Sequence, residues 1–203
     1  MLLFVATANP GKLREYAALF EGSPFDLVGA RELDITLDVS ETDDSYRANA
    51  RAKALAGREA SGLLTVADDS GIEVDALAGT PGPRSARFAG PGARDADNLR
   101  RLLTELEGIP PERRAARFRC LLVAALPDGR EAWAEGVWEG RIAERPAGDD
   151  GFGYDPVFID PELGLTAAQM PAEEKNRRSH RARAARALLP RLLALLARSP
   201  GFR

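Results

Sequence analysis

Cysteine occurs once in this 203-residue chain, at Cys120. A lone thiol excludes an intrachain disulfide framework and a cysteine-based zinc cluster. Set in an apolar, strand-like run, it is expected to be a core thiol. Histidine also occurs once, and His180 reads first as a structural polar contact rather than a catalyst. Long apolar runs are missing. The opening Met1 to Ala8 is apolar, but it falls far short of the ~20 residues of a membrane-spanning helix, and no basic segment precedes it. The expectation is a cytoplasmic protein with no membrane partner. Internal repeats and low-complexity linkers are absent. So is a basic excess: the net charge is -3, which argues against a dedicated duplex-DNA binder.

Lysine is scarce where arginine is plentiful. Of 28 Lys and Arg side chains, only Lys12, Lys53 and Lys175 are lysines. Lysine meets phosphate as a compact point charge, arginine as a larger planar fork. A chain this biased is expected to keep lysine where a point charge is required, with chance survival as the competing reading.

Among what is present, the stretch Leu63 to Gly71 stands out: an apolar run enters Asp68, Asp69, Ser70 and Gly71. The run reads as a buried strand, and since Asp and Gly are poor strand residues the strand is expected to end at Asp68 or Asp69. In open α/β sheets ligands sit at the carboxyl ends of strands. Two carboxylates there need a positive neighbour, and an oxygen-seeking divalent metal, Mg²⁺ or Mn²⁺, would serve. A polar turn with a capping Asp reads equally well.

The chain opens with a strand over Leu2 to Thr7. Asn9, as N-cap, and Pro10, at the first helical position, then start a helix whose face carries Leu13, Tyr16, Ala17, Leu19 and Phe20. Lys12 falls in its first turn, where unpaired amides and the positive dipole end make an anion site. The loop is not a Walker A motif, because Ala6 and Leu13 stand where glycine and a hydroxyl are needed. A second strand is expected over Phe25 to Gly29. Ser45 caps a helix from Tyr46 to about Ala60, with Asn49 and Lys53 on one side; Glu41 precedes it and reads either as a carboxylate that swings towards the strand-end acids or, more commonly for such a position, as a solvated loop carboxylate.

A Gly/Pro-rich loop, Gly79 to Arg87, leads to a helix over Asp95 to Leu106. A long strand over Arg117 to Leu126, a turn at Pro127 to Arg130 and further strands through Trp133, Val137, Trp138 and Ile142 form an antiparallel portion. Arg113, Arg114, Arg117 and Arg119 read as a solvated face. Between Gly148 and Pro156, glycines let the backbone approach a ligand. Phe152 and Tyr154 flank Gly153 and offer stacking surface, and Asp155 offers an acceptor. Val157 to Ile159 is a short strand. One last helix opens at Ala172 and carries Lys175, His180 and an arginine cluster, with Pro190 expected to bend or restart it.

Taken together these blocks resemble the inosine triphosphate pyrophosphatase family. The resemblance rests on Thr7-Ala8-Asn9-Pro10-Gly11-Lys12, Glu41-Thr42, Ala67-Asp68-Asp69-Ser70-Gly71, Pro81-Gly82 with Ser85-Ala86-Arg87, Gly151-Phe152-Gly153-Tyr154-Asp155-Pro156, and Glu174-Lys175 with Ser179-His180-Arg181. One departure is Ala48, where several relatives carry an acid before the residue matching Asn49.

The resemblance implies an α/β fold, a long mixed sheet flanked by helices in two lobes with the active cleft between them, and a homodimer. It implies Mg²⁺-dependent hydrolysis of non-standard purine nucleoside triphosphates (ITP, dITP, XTP) to the monophosphate and pyrophosphate. By position, Thr7, Ala8, Asn9, Pro10, Gly11 and Lys12 hold the triphosphate with Lys53. Asp69 is the metal-linked base, Glu41 helps bind the metal and Ser70 contacts substrate. Phe152, Gly153, Tyr154, Asp155, Lys175, His180 and Arg181 hold the base. His180 and Arg181 are candidate donors to the purine O6, and Asp68 is a candidate helper of Asp69. Two other readings stay open: a pyrophosphatase for pyrimidine or modified nucleotides, and an RNA-binding module built on the Arg-rich last helix.

Overall fold

The computed structural model describes residues 1–37, 39 and 45–197. Glu41 and Thr42 lie outside the described residues. The elements run β1 (Leu2–Val5), α1 (Pro10–Leu19), β2 (Asp26–Gly29), α2 (Tyr46–Ser61), β3 (Thr65–Val74), α3 (Asp95–Glu105), β4 (Ala115–Ala125), β5 (Glu131–Ile142), β6 (Phe158–Ile159), α4 (Ala172–Arg178) and α5 (His180–Ala197). The strands form one sheet in the order β2-β1-β3-β4-β5-β6. It is mixed: β1 runs parallel to β2 and β3, and β5 antiparallel to β6. The expected α/β class holds. The chain divides into two compact units, residues 1–69, 120–136 and 180–203 in one, and 70–119 with 137–179 in the other.

In the first unit, Tyr16 of α1 and Phe20, which caps its end, are buried one turn apart, with Leu13 and Leu19 packed beside them. Ala17, expected on that face, is exposed: a methyl contributes little burial, and the aromatic pair sets the helix rotation. Helix α2 follows its predicted span, and the Ser45 hydroxyl accepts a bond from the Ala48 amide. Ala50, Ala54 and Gly57 face the sheet. A Cβ on Gly57 would lie 2.8 Å from the Ala6 methyl and 2.9 Å from Thr65 Cγ2, so hydrogen there sets how near α2 comes to β1 and β3.

Several expectations are corrected. Strand β3 does not stop at the acids; it continues through Asp68, Asp69, Ser70 and Gly71 to Val74. What stops is its parallel neighbour, whose last pairing is Val5 with Val66. The acids are tolerated mid-strand because Asp68 meets Lys12 and Arg181, and Asp69 meets Lys53 and Asn49. The segment after Glu131 is one strand rather than several, with Trp138 buried and Trp133 exposed. The last helix is two, separated by an extended Ser179 (φ -62°, ψ 156°). Pro190 does not interrupt α5, because it sits on the exposed side while Leu188, Leu192 and Leu196 stay buried; their packing outweighs one lost backbone bond.

The second unit is built on stacked aromatics. Phe158 lies 4.4 Å from Phe118 and 4.9 Å from Trp138, centroid to centroid, with Leu102 and Leu106 buried in the same core. The basic run is not one solvated face. Arg114 is buried and donates to the carbonyls of Leu106, Ile109 and Ala143, closing off the carbonyl end of α3. Arg117 and Arg119 pair with Glu73, and Arg117 also with Asp75 and Glu139.

Candidate active site

The loop before α1 is tied down by its own side chains. Thr7 Oγ1 accepts from the Asn9 amide at 3.1 Å, and Asn9 Oδ1 accepts from Gly11 at 2.8 Å and Lys12 at 3.1 Å. This corrects the expectation of open amides. Pro10 has none, Gly11 and Lys12 spend theirs on Asn9, and Leu13 bonds to the Asn9 carbonyl. What the first turn offers an anion is the Lys12 ammonium.

Successive residues of a strand point to opposite faces, and β3 uses this to separate its two acids. Leu64 and Val66 belong to the core of one face and Ala67 to that of the other. Asp68 therefore faces α1 and α5. Its Oδ2 lies 2.8 Å from Lys12 Nζ and 3.9 Å from Arg181 Nε. Burial alone would raise its pKa, but Lys12, Arg181 and Lys53 together hold it at about 2. Arg181 is buried and pairs with Glu15 of α1 at 3.0 Å. Burial works against its charge, and Glu15 and Asp68 more than compensate, so its pKa is raised. On the same side burial and the nearby Asp68 push the Cys120 thiol up to about 12. It is the core thiol expected, 3.6 Å from the Tyr16 hydroxyl.

Asp69 faces α2. Its Oδ2 accepts from Asn49 Nδ2 at 2.9 Å, and its Oδ1 lies 3.7 Å from Lys53 Nζ. The one-turn spacing of Asn49 and Lys53 brings both to this carboxylate. Asp68 and Asp69 are thus not a dyad. Among the described residues no three His, Cys, Asp or Glu side chains converge as a metal-binding cluster. A magnesium ion bound together with phosphates asks the protein for only one or two carboxylates. Buried Asp69, an oxygen donor already oriented by Asn49, fits that demand.

In the second unit a loop closes around Asp155. Its Oδ2 accepts from the Phe152 amide at 2.8 Å and from Lys175 Nζ at 2.6 Å. Gly151 permits this: its φ is +79°, and a Cβ there would sit 2.2 Å from Asp155 Oδ2. Lys175 Nζ also lies 5.1 Å from the Phe152 ring centroid, within cation–π range. Gly153 donates its amide to Asp95 at 2.8 Å. Tyr154 departs from expectation. Its ring is buried and its hydroxyl donates to the Ser85 carbonyl at 2.9 Å, so it anchors the loop, while Phe152 keeps part of its surface exposed.

A model of the Ham1 family matches residues 3–191. The chain belongs to the Ham1 family. This Ham1 chain is 50% identical over 193 residues to a dITP/XTP pyrophosphatase of Nitratidesulfovibrio vulgaris, covering 92% of this chain and 93% of the relative. It is 50% identical over 195 residues to one of Methylococcus capsulatus, covering 95% and 96%. Among solved structures, the Staphylococcus aureus Ham1 protein aligns with a TM-score of 0.83 at 36% identity, over 96% of this chain and all of that one.

Within the Ham1 chain, Thr7 to Lys12, Lys53, Asp69, His180 and Arg181 all belong to the first unit. Phe152, Gly153, Tyr154, Asp155 and Lys175 belong to the second, as does Ser70, the residue of β3 that follows Asp69. The break at Ser179 separates Lys175 from His180 and Arg181. The arginines of the last helices are not one binding face either: Arg181 is buried, Arg178 is tied to Glu162 and Glu174, and Arg183 and Arg186 are exposed. Sequence reasoning missed Glu15, Asp95 and the Ser85 carbonyl as partners. Only Glu15 left a signal, one helical turn from Lys12 on α1.

Proposed function

We propose that the chain hydrolyses non-standard purine nucleoside triphosphates, dITP, ITP and XTP, to the nucleoside monophosphate and pyrophosphate. The observation that carries this is the named activity of the two relatives sharing half of its residues over nearly their whole length.

A triphosphate brings about four negative charges, and oriented cations are worth most where water is excluded. Lys12, held by Asp68, and Lys53, beside Asp69, supply such charge from opposite faces of β3. Asp69, kept in place by Asn49, orients a water and takes its proton. The water oxygen bonds to the α-phosphorus, the bond from that phosphorus to the oxygen bridging to the β-phosphorus breaks, and pyrophosphate leaves. Asp69 and Glu41 would hold Mg²⁺, or Mn²⁺ in its place; bound there, the ion screens phosphate charge and makes water more acidic. The base stacks on Phe152, beside the Lys175–Asp155 pair, and stacking of this kind is worth about 1–3 kcal/mol. His180 and Arg181 favour a purine with an oxygen at C6, since a buried donor facing the adenine amino group costs about 1–3 kcal/mol. A cytoplasmic homodimer completes the proposal.

The test incubates the purified chain and Mg²⁺ with XTP, dITP, ATP and the pyrimidine triphosphates, and resolves the products. Monophosphate and pyrophosphate from XTP and dITP, with ATP slow, are expected. Orthophosphate and diphosphate, or no turnover, would overturn the reading. Asp69→Asn is expected to keep the native circular dichroism spectrum and lose turnover; retained activity removes Asp69 as the base.

A further inference from the structure

Lys175 and Phe152 present a cation and an aromatic ring to one another at 5.1 Å. Their geometry depends on where α4 lies, and α4 is only seven residues long. So short a helix has little stability of its own, and something must fix it.

The fixing groups are Trp138, Asp160 and Arg178. Asp160 follows β6 and is 3% exposed. Its Oδ2 accepts from Trp138 Nε1 of β5 at 2.9 Å. Its Oδ1 accepts from the amides of Glu162 at 2.9 Å and Leu163 at 3.0 Å. Trp138 is itself buried against Phe118 and Phe158, so the carboxylate is tied to the aromatic core of this unit. Arg178, the last residue of α4, brings its Nη1 to 3.7 Å from Asp160 Oδ1 and to a salt bridge with Glu162. Its Nε pairs back with Glu174, one turn earlier on the same helix. Arg178 thus ties α4 to the loop that Asp160 organises, and Lys175 lies less than one turn before it.

We propose that Asp160 and Arg178 are positioning residues: a Trp138–Asp160–Arg178 strap sets α4 so that the Lys175 ammonium stays over Phe152. The strap governs how tightly the base end of a nucleotide is held and leaves the phosphate chemistry to Lys12, Lys53 and Asp69. The inference rests on the proposed function for its substrate.

The test compares wild type with Asp160→Asn and Arg178→Gln in the full-length chain. Arg178→Gln breaks the strap at its more exposed end and leaves the Trp138–Asp160 bond in place. KM for XTP is expected to rise about fivefold with kcat held, which is about 1 kcal/mol at 1.4 kcal/mol per tenfold. Inhibition by the product monophosphate should weaken by a similar factor, and inhibition by pyrophosphate, which has no base, should not change. In a Lys175→Ala background either variant should add nothing further, because residues acting through one another are not additive. A fall in kcat with KM unchanged, weakened pyrophosphate inhibition, or full additivity with Lys175→Ala would each overturn the strap. If wild type does not release pyrophosphate from XTP, the functional reading fails. The strap is then judged by fluorescence of a purine monophosphate analogue bound to wild type and Arg178→Gln: equal affinities reject it.

Discussion

Replacing Asp68 by Asn tests whether this acid is an ionic anchor rather than a catalytic partner. In the native chain its carboxyl is held at about 2 against an ordinary value of 3.8. The cause is three cations overcoming burial, with Lys12 at 2.8 Å the nearest. At about 1.4 kcal/mol per pKa unit this difference is worth about 2 kcal/mol of stability. The sign follows from which state holds the proton. The folded pKa is depressed, so the contribution is fully present above the unfolded value. It is lost as pH falls from about 4 towards about 2, where the unfolded chain takes up the proton first. Asp68→Asn has no carboxyl to titrate there. Near pH 6 the variant leaves Lys12 and buried Arg181 short of one negative charge, and removing one partner of a buried pair costs about 3–5 kcal/mol. Urea unfolding followed by circular dichroism, from pH 6 down to pH 2.5, gives the stability difference at each pH. The gap between wild type and variant should narrow by most of that amount, about 1–2 kcal/mol, over that range, with the other carboxylates cancelling in the difference. A gap that stays constant would refute the ion-pair account of Asp68. Turnover should be reduced through Lys12 and not abolished, in contrast to Asp69→Asn.

Two further outcomes follow from the same geometry. Lys12→Arg keeps the charge but lets a planar fork grip Asp68 with two donors; kcat/KM is expected to fall more than about tenfold, and near-normal steady-state rates would make the scarcity of lysine a matter of drift. Gly136→Ala would place a Cβ 2.0 Å from the His180 carbonyl oxygen and 2.5 Å from the Ala184 amide nitrogen, so the start of α5 must shift away from β5. Overpacking of this kind costs about 1–3 kcal/mol, to be read from urea unfolding, and an unchanged stability would refute so close an approach.

Much of this was legible in the residues. Asn9-Pro10 fixed the start of α1 and Ser45 that of α2, because capping is a local matter of one side chain and two or three amides. The one-turn spacing of Asn49 and Lys53 already placed them side by side. The six motif blocks were enough to point to the family. Local reasoning failed where a distant partner decides the outcome. Asp68 and Asp69 argued for a strand end, yet β3 runs on, since Lys12, Lys53 and Asn49 come from other elements to satisfy them. Tyr154 looked like a stacking surface until the Ser85 carbonyl, 69 residues away, claimed its hydroxyl. Arg114 looked solvated until the carbonyls ending α3 claimed it.

The sequence by itself therefore determined which chemistry this chain carries: its acids, its three lysines, and the caps and turns that start each element. Those are set by residue type and short-range spacing. Only the tertiary structure decided how that chemistry is divided. It turned two neighbouring carboxylates to opposite faces of one strand, giving Asp68 to Lys12 and Arg181 and Asp69 to Asn49 and Lys53. The pleat of a strand alternates its faces, but which face meets which cation depends on the helices packed against it.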